Sequence, residues 1–297
     1  MSAARQPLIF GEVLFDRFPD GNVVLGGAPF NVAWHLQAFG TAPVFVSRVG
    51  NDSLGRRIRD AMRLWGMSSA GLQLDSQHPT GTVEVRFEDG EPAYDIVAGR
   101  AYDFIAADTL PQLTPALIYH GTLALRTAAS AQALAELKRR CDAPVFLDVN
   151  LRPPWWDPQL AAAALDDARW VKLNEDELML LGADRGELGA RAARLQQQHR
   201  IELLIVTRGG DGAVAFSADG QRAETRPAAG NTVVDTVGAG DAFTSVTILG
   251  LMRDWPLQQT LERAQAFASA VVGVRGATVQ DRKFYRPFLE QWELSAS

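Results

Sequence analysis

Residues 235–241 read Asp-Thr-Val-Gly-Ala-Gly-Asp and run directly into Ala242-Phe243-Thr244 and an apolar stretch of helical character. The small residues Gly238, Ala239 and Gly240 let a turn close tightly on a bound group. A helix beginning near Ala239 aims its free N–H groups and the positive end of its dipole at that turn. Such a place suits an anion, phosphate above all. Asp241 is then out of keeping, since a carboxylate repels phosphate. A base that takes a proton from a hydroxyl attacking the phosphate reconciles the two. The alternative is an ordinary glycine turn with Asp241 as a first-turn acid favoured by the dipole.

Other polar residues stand where strands are expected to end. Gly26-Gly27-Ala28-Pro29-Phe30-Asn31 opens a helix. Two glycines allow close backbone approach, and Asn31 offers donor and acceptor to a polyhydroxylated ligand. Asp16 follows the first strand, where open α/β sheets place ligands. In Asp148-Val149-Asn150-Leu151-Arg152, Arg152 has the chemistry to pair with phosphate or simply to face solvent. In Asn174-Glu175-Asp176-Glu177 the three acids suit a helix start. Asn174 and Glu177, three apart, also share a face and are able to organise a hydrated magnesium ion. Thr207-Arg208-Gly209-Gly210-Asp211-Gly212 is either a nucleotide-phosphate loop or a hairpin turn.

The elements that must position these residues follow from periodicity. Strands are expected at 7–15, 43–49, 116–120, 144–149, 169–173 and 202–207. Helices are expected at 28–39, 53–65 with Ser53 as N-cap, 128–140, 158–167, 175–182, 188–199, 239–253, 257–274 and 283–290. The βα alternation predicts a mainly parallel sheet with helices on both faces, in a single domain spanning 1–297. Residues 81–88 alternate apolar and charged, Asp89-Gly90 marks a hairpin turn, and 93–98 resume the pattern. That segment, about 80–100, together with 16–25 and its Asp20-Gly21 turn, reads as a small antiparallel lid, or as a surface hairpin. A lid over a phosphoryl donor keeps water out.

The order of the motifs is more specific than any one of them. Gly-Gly-Ala-Pro-Phe-Asn near 30, Asp-Val-Asn-Leu-Arg-Pro near 150, Lys-Leu-Asn-Glu-Asp-Glu near 174, Val-Thr-Arg-Gly-Gly-Asp-Gly near 209 and the 235–243 segment occur in succession. Together they resemble the ribokinase-like sugar kinases, the PfkB carbohydrate kinase family, over roughly residues 7–280. Within that family, Gly11 to Asp16, Gly27 to Ala33, His78-Pro79-Thr80-Gly81 and Tyr102-Asp103-Phe104-Ile105 look most like bacterial fructokinases. The resemblance implies a three-layer α/β sandwich. It implies that Asp241 is the base, with Gly238, Ala239 and Gly240 as the anion hole and Arg152 beside it. It puts Asp16, Gly26, Gly27, Asn31 and Phe104 on the sugar. It gives Asn174 and Glu177 to magnesium through water, and Thr207, Gly209 and Gly212 to ATP, with Gly238 and Gly240. Asp235 and the Val237 carbonyl go to an activating potassium ion. Val149 and Val237 depart from the commoner Pro and Thr; the second still leaves a backbone carbonyl.

The expected activity is ATP-dependent phosphorylation of a hexose, D-fructose first. A 2-keto-3-deoxygluconate kinase is the alternative, favoured by an Arg in the lid; Tyr94-Asp95-Ile96 offers an acid there, with Arg86 and Arg100 nearby in sequence. A non-catalytic sugar sensor is the distant alternative, but the base and glycine turn are intact. The chain has 297 residues, a net charge of −6 and no Lys/Arg run, which argues against a nucleic-acid partner. A single Cys, Cys141, fits a reducing cytoplasm, and no apolar run suggests a membrane span. An exposed lid edge needs cover, so pairing of two lids in a homodimer is expected.

Overall fold

The computed structural model describes residues 5–88, 91–182, 186–228 and 233–294; the Asp89-Gly90 turn lies outside them. The segment 7–15 does not form one strand. It divides into β1 (Leu8–Phe10) and β2 (Leu14–Arg17), because the chain turns at Gly11–Val13 and passes from one sheet into another. Then come β3 (Val23–Gly26), α1 (Ala28–Ala38), β4 (Val44–Gly50) and α2 (Ser53–Trp65). Next are β5 (Leu72–Asp75), β6 (Gly81–Glu88), β7 (Glu91–Ile96), β8 (Ile118–His120), α3 (Ala128–Arg140) and β9 (Val145–Asp148). They are followed by α4 (Pro158–Asp166), β10 (Trp170–Asn174), α5 (Glu175–Leu181), α6 (Leu188–His199) and β11 (Leu203–Thr207). Finally come β12 (Ala213–Ser217), β13 (Arg222–Thr225), α7 (Ala239–Met252), α8 (Leu257–Val272) and α9 (Arg282–Gln291).

The large sheet has nine strands in the order β13-β12-β11-β10-β9-β8-β1-β4-β5. All neighbours from β5 to β11 are parallel, and β12 and β13 continue antiparallel as a hairpin extension. Alternate residues point to opposite faces, and both faces are apolar, as a covered parallel sheet requires. Leu8, Phe10, Val145, Leu147, Val171, Leu173, Leu204 and Val206 pack into the core shared with α3, α4 and α6. Ile9, Phe45, Tyr119, Phe146 and Ile205 face the other core, with α1, α7, α8 and α9. This is the expected three-layer arrangement. The second core is rich in rings: Trp34 stacks on Trp65 at 4.5 Å, and buried His35 bonds through Nδ1 to the Tyr285 hydroxyl at 2.9 Å. No helix among the described residues is long and apolar enough to cross a membrane.

The small sheet, β3-β2-β6-β7, is the lid. Two antiparallel hairpins, β2–β3 and β6–β7, meet edge to edge, and β2 runs parallel to β6 from Leu14↔Gly81 to Arg17↔Glu84. The lid is therefore mixed rather than antiparallel. Leu14, Val83, Ile96, Tyr102 and Leu123 form its own small core.

Helix α2 is capped by Asp52 instead of Ser53, which is its first helical residue. Asp52 Oδ1 accepts from the Gly55 N–H (2.8 Å) and the Thr80 hydroxyl (2.7 Å), while Oδ2 accepts from the Thr80 N–H (2.8 Å). One carboxylate thus fixes both a helix start and the entry to β6. Burial opposes its charge, but these bonds outweigh burial and hold its pKa below the ordinary value. Asp52→Ala is expected to cost about 1–2 kcal/mol and to lower Tm by a few degrees, measured by thermal denaturation at pH 7. A folded pKa below the unfolded one makes this contribution full above the unfolded value. The difference between wild type and variant therefore shrinks as pH falls through the depressed folded pKa.

Candidate active site

Both helices that carry the principal polar residues start on a glycine with positive φ. Gly27 caps α1 at φ 108°, and Gly238 caps α7 at φ 82°. A Cβ at Gly27 would lie 2.8 Å from the Glu12 carbonyl oxygen, and one at Gly238 would lie 2.4 Å from Ala277 Cβ. Glycine is required at both by conformation and by space. The helix starts converge: Asn31 Nδ2, in the first turns of α1, donates to Asp241 Oδ2 in the first turn of α7 at 2.7 Å. The N–H groups of Gly238, Gly240 and Asp241 have no hydrogen-bond partner among the described residues, whereas the Ala239 N–H, expected in the anion hole, donates to the Thr236 carbonyl at 3.3 Å as the turn closes. They form a cluster of free donors at the positive end of a 14-residue helix.

Beneath this helix start lies a buried charge pair. Lys172 Nζ donates to both oxygens of Asp148 at 2.9 Å, and the Thr244 hydroxyl is 2.9 Å from Asp148 Oδ2. Lys172 stands between Val171 and Leu173 on β10, so its side chain leaves the face opposite theirs, toward α7. A Cβ at Gly240 would sit 3.7 Å from its ammonium. Burial works against the charge on Lys172, but Asp148 outweighs it and holds the pKa above the ordinary value.

Asp241 has its pKa raised to about 6, first by burial; Asp148 adds to the rise, while the Asn31 bond, Lys172 and Arg152 oppose it. Burial likewise raises half-buried Asp16 to about 6. Arg152 is exposed, donating to its neighbour's carbonyl at 3.3 Å, yet its charge is felt by both Asp241 and Glu12. Burial raises the pKa of Tyr94 on the lid, and the charges of Asp16 and Asp235 add to the rise.

Asn174 and Glu177 form a capping box at the start of α5. The Glu177 N–H donates to Asn174 Oδ1 and the Asn174 N–H to Glu177 Oε2, each at 2.8 Å, while Glu177 Oε1 accepts from the Leu151 N–H at 2.7 Å. Glu177 ties the loop after β9 to α5, and each of its oxygens keeps a lone pair for a water. Among the described residues no cluster of three or more His, Cys, Asp or Glu side chains is arranged to cage a metal.

Thr207–Gly212 forms the turn of the β11–β12 hairpin, and a Cβ at Gly212 would lie on the Thr225 carbonyl. Gly209 is open to solvent and free to approach a ligand. Asp235 holds its loop in place by accepting from the Val237 and Gly276 N–H groups, each at 3.0 Å. Gly26 lies beside Asp16, where its Cβ position is 3.6 Å from Oδ2. Phe104 is set apart: its ring stacks on His78 at 3.7 Å and lines a cleft of about 360 Å³ with Arg48, Asp75 and Gln132, and no other expected site residue lines that cleft. The neighbouring Tyr102 and Asp103 turn the other way and bond Arg126.

The sequence reading passed over Lys172, Thr244 and Glu12. Lys172 and Glu12 carried a signal, a charge inside an otherwise apolar strand-like run. Thr244, in a helix, carried none.

A model of the pfkB family carbohydrate kinases matches residues 6–283. A fructokinase from Salmonella typhimurium is 32% identical over 291 residues, covering 91% of this chain and 94% of that protein. The structure of a Xylella fastidiosa fructokinase with bound ATP aligns with a TM-score of 0.87 at 22% identity, over 98% of this chain and 100% of that one. A Vibrio cholerae O395 fructokinase in a fructose-, ADP- and calcium-bound form aligns with a TM-score of 0.80 at 25% identity, over 95% and 98% of the two chains.

The raised pKa of Asp241 has a stability consequence. A carboxyl whose folded pKa of about 6 exceeds the unfolded 3.8 is penalised when ionised. The penalty is absent below pH 3.8, grows as pH rises through about 6 and is complete above it. Asp241→Asn keeps an acceptor for Asn31 and removes the charge. Urea denaturation should show the variant more stable than wild type by on the order of 1–3 kcal/mol at pH 8, with the gain vanishing near pH 4. Equal stability at pH 8 would contradict the assignment.

Proposed function

The chain belongs to the pfkB family of carbohydrate kinases, and we propose that within it the protein is an ATP-dependent hexose kinase whose first acceptor is D-fructose. The observation that carries this reading is the juxtaposition at the start of α7. A desolvated carboxylate, Asp241, stands in the same helical turn as free N–H donors at Gly238, Gly240 and Asp241 itself. Base and anion site are a few atoms apart, as direct transfer to a hydroxyl requires.

In this reading the acceptor hydroxyl lies between Asp241 and the γ-phosphate of ATP. As the hydroxyl oxygen bonds to the γ-phosphorus, the bond to the β–γ bridging oxygen breaks and the hydroxyl proton passes to Asp241. The N–H groups of Gly238, Gly240 and Asp241, backed by Lys172 and flanked by Arg152, take up the charge of the transferred group. Asn31 keeps Asp241 oriented. Asp16, Gly26, Gly27 and Asn31 offer partners suited to neutral sugar hydroxyls, and Phe104 is not counted with them. Thr207, Gly209 and Gly212 lie at the nucleotide end. Magnesium, when bound with ATP, neutralises phosphate charge, and the waters around Asn174 and Glu177 would hold it. Asp235 and the Val237 carbonyl offer oxygen donors for a potassium ion. Open lid edges at β3 and β7, with Val24 and Tyr94 exposed, favour pairing of two lids.

A coupled kinase assay over a panel of acceptors tests the reading. We expect kcat/KM for D-fructose to exceed that for 2-keto-3-deoxygluconate and for fructose 6-phosphate by at least about tenfold, because Asp16 and its surroundings favour a neutral ligand. Asp241→Asn should lose about 10²–10⁴ in kcat with little change in ATP binding. Best turnover of the keto acid, or a variant with half the wild-type activity, would defeat this account. In a separate assay at constant ionic strength, potassium chloride should activate above sodium chloride. Equal rates would remove the monovalent-ion site alone.

A further inference from the structure

The turn that carries the chain from β1 into β2 consists of Gly11, Glu12 and Val13, and Glu12 is the one charged residue in it. Its side chain is only 3% exposed, and Oε2 has no hydrogen-bond partner among the described residues. A buried polar atom left unpaired is rare and costly, and calls for an explanation. It is accompanied by others. Asn31 Oδ1, the Tyr119 hydroxyl and Arg126 Nη1 are likewise buried without a partner among the described residues. Glu12 feels the charges of Arg152, Asp241 and Arg126, and Tyr119 and Tyr102 both feel Glu12. The Glu12 carbonyl abuts Gly27. Glu12 and Tyr119 are thus both within range of the Asp241 charge, and the Glu12 backbone lies against the glycine that starts the helix carrying Asn31.

We propose that Glu12 is a substrate-binding residue whose free carboxyl oxygen takes one hydroxyl of the acceptor sugar, next to the hydroxyl that Asp241 addresses. The inference rests on the sugar-kinase reading above. A ligand dense in hydroxyls is the chemistry that satisfies a carboxyl, an amide oxygen and a phenol together. Burial raises the Glu12 carboxyl to about 7, against opposition from its own backbone N–H and from Arg152 and Arg126, while Asp241 adds to the rise. Near neutral pH the group therefore exists in both forms, able to donate to or accept from a hydroxyl.

The test pairs E12A and E12Q with monodeoxy analogues of whichever neutral sugar the wild type turns over best. Wild type should prefer the parent sugar over one particular analogue by at least about tenfold in kcat/KM. E12A should reduce that preference to about threefold or less, mainly through KM, while KM for ATP holds. A structural role would lower every acceptor by the same factor, and that outcome, or an unchanged selectivity, overturns the proposal. Should E12A fail to fold, E12Q decides through protons. Sugar binding to wild type near pH 7 should exchange protons with the buffer, read by calorimetry in buffers of different ionisation enthalpy. E12Q should remove at least half of that exchange; an equal exchange in wild type and E12Q overturns the assignment. A wild type that phosphorylates no neutral sugar defeats the kinase reading and this inference together, whereas an active kinase with unselective Glu12 variants defeats this inference alone.

Discussion

The hydrogen bond from Asn31 to Asp241 joins residues 210 positions apart and sets the terms for everything around it. It forms only if α1 and α7 bring their N-terminal turns together, and each helix must then begin on a residue that tolerates both the backbone angle and the crowding. Gly27 and Gly238 meet that demand, one against the Glu12 carbonyl, the other against Ala277. Two positive helix ends then point at one carboxylate. That field favours anions, yet it acts on a group that burial has already made reluctant to ionise. The result is a carboxyl near pKa 6 beside N–H donors that are unpaired among the described residues, a basic group and an anion site in the same turn.

The surrounding charges read as one balanced set. Lys172 and Asp148 neutralise each other beneath α7, and the Thr244 hydroxyl fastens the pair to the helix. Glu177 spends its oxygens on two backbone N–H groups from different loops. These residues hold strand ends and helix starts in register, so the reactive carboxyl does not depend on a flexible side chain for its position. Buried pairs of this kind contribute little net stability compared with apolar packing. Their place under the site accords with positioning.

Much of this was legible in the sequence, for identifiable reasons. Apolar strands between amphipathic helices fixed the three-layer plan, and α3 and α6 have the expected bounds because their periodicity is strong. The short strands β5, β12 and β13 were not read, since four or five residues give little pattern to distinguish from a loop. One strand was read across 7–15 because hydropathy is continuous there; the break is a change of sheet, which hydropathy does not record. Ser53 looked like a cap by type, but Asp52 reaches both Gly55 and Thr80, a choice made by a distant segment. The parallel pairing of β2 with β6 is also non-local, and the alternation of each strand is the same whichever way its neighbour runs. Phe104 matched a motif, yet its stacking on His78 turns it into another cleft.

The parallel pairing of β2 with β6 bears on how the molecule is assembled. Leu14 meets Gly81 and Arg17 meets Glu84, so the lid cannot form from a contiguous stretch of chain. Between its two halves lie α1, β4, α2 and β5, all belonging to the larger body. The core that supports α1 and α2 is in turn closed by Tyr285 of α9, bonded to His35 across 250 residues. Long-range closures of this sort are slow, because loop entropy is lost before contacts repay it. During synthesis the β2–β3 hairpin must therefore wait for β6, β1 for β8 on its second edge and α1 for α7 and α9, with apolar faces uncovered until those later segments are made. The sequence that makes a rigid site thus also makes the nascent chain dependent on protection from aggregation, a liability of long-range topology independent of how stable the finished protein is.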